Sequence, residues 1–173
     1  MSDRDEIVGK INLYALGVDA QRWDLFDRVF TSHCDVDFGS AARWDNLVQF
    51  KQDFAAFHAP FDATQHMMAN HQVVLIDSDH AHSLTYGSWR LVRHAAADQG
   101  TGGALWDGTG WYDDQWIRTH SGWLIARRVC RVIWWTGNDA VRLTLPGVTF
   151  DDPLCNLREE GAARRVAFLN AIS

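Results

Sequence analysis

The stretch from Thr64 to His71 carries side chains suited to proton transfer and hydrogen bonding. Alternate residues of a β-strand point the same way, so His66, Met68 and Asn70 would share one face of a strand here. A histidine and an asparagine that face a pocket suit ligand binding and general acid–base catalysis. The alternative is a hydrogen-bonded core histidine with no chemical role, and the segment taken alone favours that alternative.

Tyr14 and Asp19 are two further candidates, five residues apart at the end of the first predicted helix. A carboxylate is poorly placed at a helix C-terminus, because the helix dipole favours cations there. Asp19 therefore either caps the turn that leads to the next helix or accepts a proton from a nearby group. The segment alone favours the role in the turn.

Arg131 lies well inside a predicted strand, where a solvated charge is unexpected. Alternation places it on the same strand face as Arg127 and Val129. The structural alternative to a role in a site is an ion pair across the sheet, for example with Asp113 or Asp114.

The apolar spacing predicts helices in the first third of the chain and strands after Pro60. One helical stripe comprises Ile7, Ile11, Tyr14, Ala15 and Val18. A second stripe starts at Trp23, and a third helix runs from Trp44 to Phe57. The period then changes to two, which predicts four strands, at Thr64–Ile76, His80–His94, Trp106–Thr119 and Trp123–Thr136. A short helix is expected at Arg158–Ile172.

Helices followed by long antiparallel strands with short turns indicate a single α+β domain. We expect a strongly curved antiparallel sheet that wraps around the N-terminal helices and leaves a pocket between them. The domain core spans about residues 5–137. Residues 138–173 form a C-terminal tail that packs across the pocket or on a neighbouring subunit.

The aromatic content is high, with nine Trp and nine Phe in 173 residues. Large rings fill a core, but they also line cavities for apolar ligands. We predict that the pocket binds a hydrophobic small molecule, with contacts from Met68, Asn70, Trp89, Trp111 and Trp134. A Trp-rich sheet with one exposed face also predicts a homodimer or homotrimer.

The bulk properties exclude several other classes of function. A net charge of -6 argues against nucleic acid or an anionic membrane as the main partner. The N-terminus has no apolar signal segment and no stretch is long enough to span a membrane, so we expect a cytoplasmic protein. Cys34, Cys130 and Cys155 are too irregularly spaced for a disulfide framework or a zinc site. His80 and His82 have a spacing found in metal sites, but their place after a polar turn favours exposure, and no metal or cofactor is expected.

Several motifs occur together in the order typical of a known family. The first is Leu13-Tyr14-Ala15-Leu16-Gly17-Val18-Asp19-Ala20-Gln21-Arg22-Trp23-Asp24, and Thr64-Gln65-His66 with Asn70 follows. Gly110-Trp111-Tyr112-Asp113-Asp114-Gln115-Trp116-Ile117-Arg118 then precedes Gly122-Trp123. From about Asp5 to Gly137 the chain resembles the SnoaL-like branch of the nuclear transport factor 2-like superfamily. The resemblance implies a cone-shaped α+β barrel.

The resemblance also implies a chemistry. Members that catalyse eliminations include scytalone dehydratase, bile acid 7α-dehydratase and hexachlorocyclohexane dehydrochlorinase. They use an Asp at the end of the first helix and a His on the strand after the third helix, which correspond to Asp19 and His66. A tyrosine and an arginine of the bile acid enzyme correspond to Tyr14 and Arg131. The implied function is a cofactor-independent lyase with an Asp–His dyad.

Two other functions stay open at this point. The same dyad could serve an isomerase or a polyketide-type cyclase. The fold also serves as a ligand-binding module and as a structural subunit. Ketosteroid isomerases of this fold place their base in the segment of Asp37, where this chain has Phe38 at the matching position, and this difference disfavours that isomerase chemistry.

Overall fold

The computed structural model describes residues 2–39, 42–142 and 154–173. In chain order, the elements are α1 (Asp3–Asp19), a 3-10 turn (Trp23–Arg28), β1 (Phe30–Asp37), β2 (Arg43–Trp44), α2 (Leu47–His58), β3 (Ala63–Leu75), β4 (His80–Val92), β5 (Leu105–Thr119), β6 (Gly122–Gly137), α3 (Leu157–Ala162) and α4 (Ala167–Ala171), with single 3-10 turns at His94–Ala96 and Asp139–Val141. The predicted α+β fold, with N-terminal helices against a curved sheet, is confirmed.

Helix α1 begins with a capping box between Ser2 and Asp5. The Ser2 hydroxyl accepts the Asp5 backbone N–H at 3.2 Å, and the Asp5 carboxylate accepts the Ser2 backbone N–H at 3.2 Å. This reciprocal pairing satisfies two backbone donors at the helix start. The predicted apolar stripe is confirmed, because α1 buries Ile7, Ile11, Tyr14, Ala15 and Val18. The second predicted stripe forms the 3-10 turn at Trp23–Arg28.

The six strands form one sheet in the order β2-β1-β6-β5-β4-β3. All neighbouring strands are antiparallel except β1 and β6, which are parallel. The four long predicted strands, β3 to β6, are thus antiparallel as expected, and β1 joins the sheet in parallel beside β6. Strands β2 and β3 are the two edges, so the sheet curves without closing into a complete barrel.

Four register shifts interrupt the pairing of the described strands, and two of them change which way predicted site residues point. In β3, Ala69 pairs with Tyr86 and Gln72 pairs with Leu84, so β3 carries one extra residue, and Asn70 there has φ 54°. In β6 another register shift falls at Ile133. An extra residue in a strand moves every later side chain to the other face of the sheet.

The two faces of the sheet pack against different partners. The inner face packs against α1 and α2 and forms the larger core cluster. The outer face forms a smaller cluster with α4, comprising Leu84, Trp111, Val129, Val166 and Phe168.

The C-terminal segment divides into two short helices rather than the single predicted one. Between them, Arg164 adopts a left-handed φ of 57°, which interrupts the helix. Helix α4 is held by the Asp113 carboxylate, which accepts the backbone N–H groups of Ala167 and Phe168 at 2.6 and 3.0 Å. Helices α3 and α4 thus lie on the outer face of the sheet. At the start of the tail, Val141 packs instead in the inner core cluster and Arg142 borders the cavity on that side. Residues 143–153 lie outside the described residues.

Candidate active site

The side chains of Asp19 and His66 meet in a hydrogen bond of 2.7 Å between the Asp19 carboxylate and Nδ1 of the His66 ring. The other carboxylate oxygen accepts the His66 backbone N–H at 2.8 Å, and the Thr64 hydroxyl donates to the carboxylate at 2.9 Å. The last residue of α1 is therefore joined to β3 by three hydrogen bonds. The role in the following turn that the segment alone favoured was wrong, because all three partners come from β3.

These contacts set the protonation of the pair. A carboxylate can only accept, so Nδ1 of His66 carries the proton and Nε2 is left as the basic nitrogen. Partial burial opposes ionisation of Asp19, but the hydrogen bonds from His66 and Thr64 outweigh it and hold the pKa of the carboxyl below its ordinary value. The pair is thus an ionised carboxylate that fixes the orientation and the tautomer of an imidazole, an arrangement typical of a general base.

The dyad borders a cavity of about 430 Å³ between the inner face of the sheet and α2. Its described walls are mainly aromatic and aliphatic, with a few polar groups: Tyr14, Phe38, Ala42, Arg43, Trp44, Asp53, Phe54, Phe57, His58, His66, Trp89, Leu91, Trp106, Tyr112, Cys130, Val132 and Arg142. This size and composition are typical of sites for small organic ligands. Of the predicted site residues, the structure brings Tyr14, His66 and Trp89 to this wall, with Asp19 behind His66.

Tyr14 is fully buried at the base of the cavity. Its ring lies 5.8 Å from the ring of Tyr112, and the Arg128 guanidinium lies 4.3 Å from its centre. Among the described residues its hydroxyl has no hydrogen-bond partner. Burial raises the pKa of Tyr14 well above its ordinary value, so the phenol stays protonated and can serve as a donor.

Arg131 does not reach this cavity. It lies on the outer face of the sheet, where its guanidinium donates to both carboxylate oxygens of Asp37 at 3.0 Å and borders a separate cleft. The role in the site implied by the resemblance is therefore wrong for Arg131. The suggested ion pairs were also misplaced, because Asp114 pairs with Arg128 on the inner face and Asp113 accepts from α4.

Asn70 and Met68 were predicted to contact the substrate, and neither is among the cavity residues. The extra residue in β3 leaves Asn70 exposed. It also moves His71 to the inner face, where its ring contacts the Thr85 hydroxyl at 3.1 Å, although strict alternation predicts the opposite face. Met68 does lie on the inner face, but it packs against the core rather than against the cavity.

Two of the three tryptophans predicted to contact the ligand lie outside the cavity wall. Trp111 lies on the outer face with α4, and Trp134 is 47% exposed. The extra residue at Ile133 reverses the faces to which the next side chains of β6 point. Trp135, rather than Trp134, therefore stacks on Trp106, with ring centres 6.2 Å apart. Trp89 lines the cavity, and its indole N–H donates to the Tyr112 hydroxyl at 2.7 Å.

Sequence reasoning missed a second histidine, His58, in the cavity wall. Its Nδ1 contacts the Phe54 carbonyl at 2.7 Å, and its ring centre lies 6.3 Å from that of His66. The signal was present in the sequence, because His58 continues the spacing of four residues set by Phe50 and Phe54 on one face of α2.

The buried ion pair of Arg128 and Asp114 was also missed. Two parallel hydrogen bonds of 2.7 and 2.8 Å join the side chains, and both are fully buried. The guanidinium lies 4.3 and 4.6 Å from the ring centres of Tyr14 and Tyr112. The pair therefore underlies the aromatic base of the cavity.

Cys34 and Cys130 are buried thiols. Burial raises the pKa of Cys34 to about 11 and that of Cys130 to about 12, so both remain thiols. No group of three His, Cys, Asp or Glu side chains converges among the described residues. No described helix is long and apolar enough to cross a membrane.

Comparisons with known proteins match this fold. The family model of the SnoaL-like domain matches residues 1–129. The uncharacterized protein Rv2910c from Mycobacterium tuberculosis is 33% identical over 130 residues, which cover 75% of this chain and 84% of that protein. The crystal structure of Kfla4162 from Kribbella flavida has a TM-score of 0.73 at 26% identity, covering 81% of this chain and 95% of that one.

Two solved structures with named activities share the fold at lower identity. A protein from Novosphingobium aromaticivorans, named provisionally as a scytalone dehydratase, has a TM-score of 0.68 at 16% identity and covers 86% of this chain and 99% of its own. The hexachlorocyclohexane dehydrochlorinase LinA type 2 has a TM-score of 0.67 at 13% identity, covering 84% and 95%. Since the family match spans 129 of the 173 residues, this chain belongs to the SnoaL-like domain family.

Proposed function

We propose that this chain is a cofactor-independent lyase that eliminates water, or a comparable leaving group, from a hydrophobic small molecule. The observation that supports this most is the hydrogen bond of 2.7 Å between Asp19 and His66 at the wall of a mainly apolar cavity. A dehydratase and a dehydrochlorinase among the proteins of the same fold agree with the proposal.

His66 acts as the base in this proposal. Its Nε2 removes a proton from a carbon next to a carbonyl or another activating group, while Asp19 accepts the Nδ1–H bond and stabilises the imidazolium that forms. The electron pair of the broken C–H bond forms the new double bond, and the leaving hydroxide departs from the neighbouring carbon. His66 then returns its proton to the hydroxide, so the products are an alkene and water.

Tyr14 supplies the second polar contribution. Its hydroxyl is enclosed in this structure, so a small movement of the ring toward the ligand would let the protonated phenol donate to the oxygen on which negative charge develops. The apolar surroundings strengthen that bond. A donor placed in this way typically contributes about 10²–10³-fold in rate. Trp89 forms part of the wall against which the apolar portion of the substrate packs.

An isomerase or cyclase could use the same dyad, since proton removal is common to all three reactions. The product distinguishes them, because only the lyase releases the leaving group. The Asp37 base of a ketosteroid-type isomerase is disfavoured, because that carboxylate pairs with Arg131 and the cavity wall has Phe38 instead.

The test is turnover of a panel of cyclic β-hydroxy ketones, followed by the ultraviolet absorbance of the conjugated enone. We expect His66→Gln to lower kcat/KM by roughly 10²–10⁴-fold and Asp19→Asn to lower it less, with circular dichroism unchanged. The matched control is His71→Gln, which alters a histidine on the same strand and face that bonds to Thr85 outside the cavity. Unchanged turnover in both dyad variants would contradict the proposal.

A further inference from the structure

His58 is a buried polar group in the cavity wall to which the proposed mechanism gives no role. It ends α2, its side chain is almost completely buried, and it borders the same cavity as His66. Rings surround it closely, with centres 4.5 Å away for Phe54, 5.1 Å for Phe57 and 5.4 Å for Trp23. A polar side chain buried in such apolar surroundings destabilises the folded state unless its hydrogen-bonding atoms have partners.

One ring nitrogen of His58 has such a partner. The Phe54 carbonyl can only accept a hydrogen bond, so the contact of 2.7 Å requires that Nδ1 carry the proton. In the neutral ring, the other nitrogen, Nε2, is then an acceptor. None of the described residues forms a hydrogen bond with Nε2, and Nε2 is not among the fully enclosed atoms that lack a partner.

The ring also stays neutral. Burial, together with the nearby His66, outweighs the bond to Phe54 and lowers the pKa of His58 to about 4. Near neutral pH, His58 therefore offers a fixed acceptor rather than a cation. A neutral neighbour also leaves His66 free to take up a proton without facing a like charge.

We propose that His58 determines substrate specificity by accepting, at Nε2, a hydrogen bond from a hydroxyl or N–H donor on the ligand. The ring centres of His58 and His66 are 6.3 Å apart, so neighbouring groups of one small molecule can reach both nitrogens. The preferred ligands are thus compact apolar rings that carry a donor beside the carbon on which His66 acts. This inference rests on the proposed function for the identity of the site, but it concerns binding and not turnover.

The experiment is a ligand-observed NMR titration with β-naphthol and with β-fluoronaphthalene, in which fluorine of similar size replaces the donor. We expect the wild type to bind β-naphthol more tightly by about 2- to 10-fold, as for one net hydrogen bond. His58→Phe should remove that preference by weakening β-naphthol alone. His58→Gln, which keeps an acceptor oxygen near the position of Nε2, should retain most of it.

His66→Gln separates this inference from the proposed function, because it removes the base and should leave the preference for β-naphthol intact. The inference is overturned if the wild type binds the two probes equally or binds neither. It is also overturned if the preference survives His58→Phe or disappears in His66→Gln. If any of these results is found while His66→Gln still loses turnover, the inference about His58 fails and the lyase proposal holds.

Discussion

Two carboxylates on the inner side of the sheet have opposite surroundings. Asp114 and Arg128 form a fully buried pair held by two hydrogen bonds. The Asp19 side chain keeps 26% of its surface exposed, and its partner His66 borders the cavity. A guanidinium does not release its proton in proteins, whereas an imidazole exchanges one near neutral pH. Burial with arginine therefore yields a permanent structural pair, whereas access with histidine yields a pair suited to proton transfer.

The largest effect on stability is expected from removal of the buried guanidinium. Arg128→Met should lower the free energy of unfolding by about 3–5 kcal/mol, because Asp114 is left buried without a counter-charge. Urea unfolding measures this loss. The matched control is Arg127→Met, which alters the neighbouring arginine and its exposed pair with Asp35 and should cost less than about 1 kcal/mol.

A double variant guards against a failure of Arg128→Met to fold. Arg128→Met with Asp114→Leu removes both charges and should recover most of the lost free energy of unfolding. Equal, small losses in Arg128→Met and Arg127→Met would contradict the structural role of the buried pair.

The next largest effect on stability is expected from His58, which is buried and borders the cavity. Its pKa is about 4 in the folded chain against an ordinary 6.5, so only the unfolded chain binds this proton between these pH values. Protonation then favours unfolding, and stability falls as the pH is lowered through this range. We expect about 3 kcal/mol of this acid-dependent loss to be absent in His58→Phe.

The measurement is the urea midpoint over this pH range, compared with the exposed His80→Gln as a control. His80→Gln should follow the wild type. Parallel pH profiles for the wild type and His58→Phe would show that the folded chain does not suppress protonation of His58.

The smallest effect is expected at the dyad itself. Asp19→Asn should lower the free energy of unfolding by about 1 kcal/mol near neutral pH, because the amide oxygen still accepts from Thr64 and His66. Hydrogen bonds lower the pKa of Asp19, so the carboxylate stabilises the fold above its ordinary pKa of 3.8 and loses this effect as the pH falls below that value. Urea midpoints of the two proteins should therefore converge in acid. A constant difference would argue against an ionised Asp19.

The sequence predicted the parts of the fold that local patterns determine. The stripe of α1, the end of the third predicted helix before Pro60 and the four long strands agree with the structure to within a few residues. Asp19 and His66, which the resemblance to the family brings together, also form a hydrogen bond. In each case the signal lies in residue spacing or in motif order.

The residues placed wrongly have two physical causes. The predicted positions of Asn70 and Trp134 assume strict alternation of side chains along each strand. The extra residues in β3 and β6 interrupt that alternation. No glycine lies within about three residues of Asn70 or Ile133 to mark the irregularity, although asparagine tolerates the left-handed φ that Asn70 adopts. For Arg131, alternation separated it from Arg128 correctly but could not say which face was inner. That choice depends on how the helices pack against the sheet, which no local pattern records.

The central claim is that His66, held by Asp19, removes a proton from carbon. The most direct measurement is deuterium exchange at the carbon next to the carbonyl of α-tetralone, followed by NMR in deuterated water. This exchange requires no leaving group, so it tests the base without knowledge of the natural substrate. We predict that the wild type and His71→Gln accelerate the exchange, that Asp19→Asn does so weakly, and that His66→Gln does not. Exchange as fast in His66→Gln as in the wild type would contradict the account.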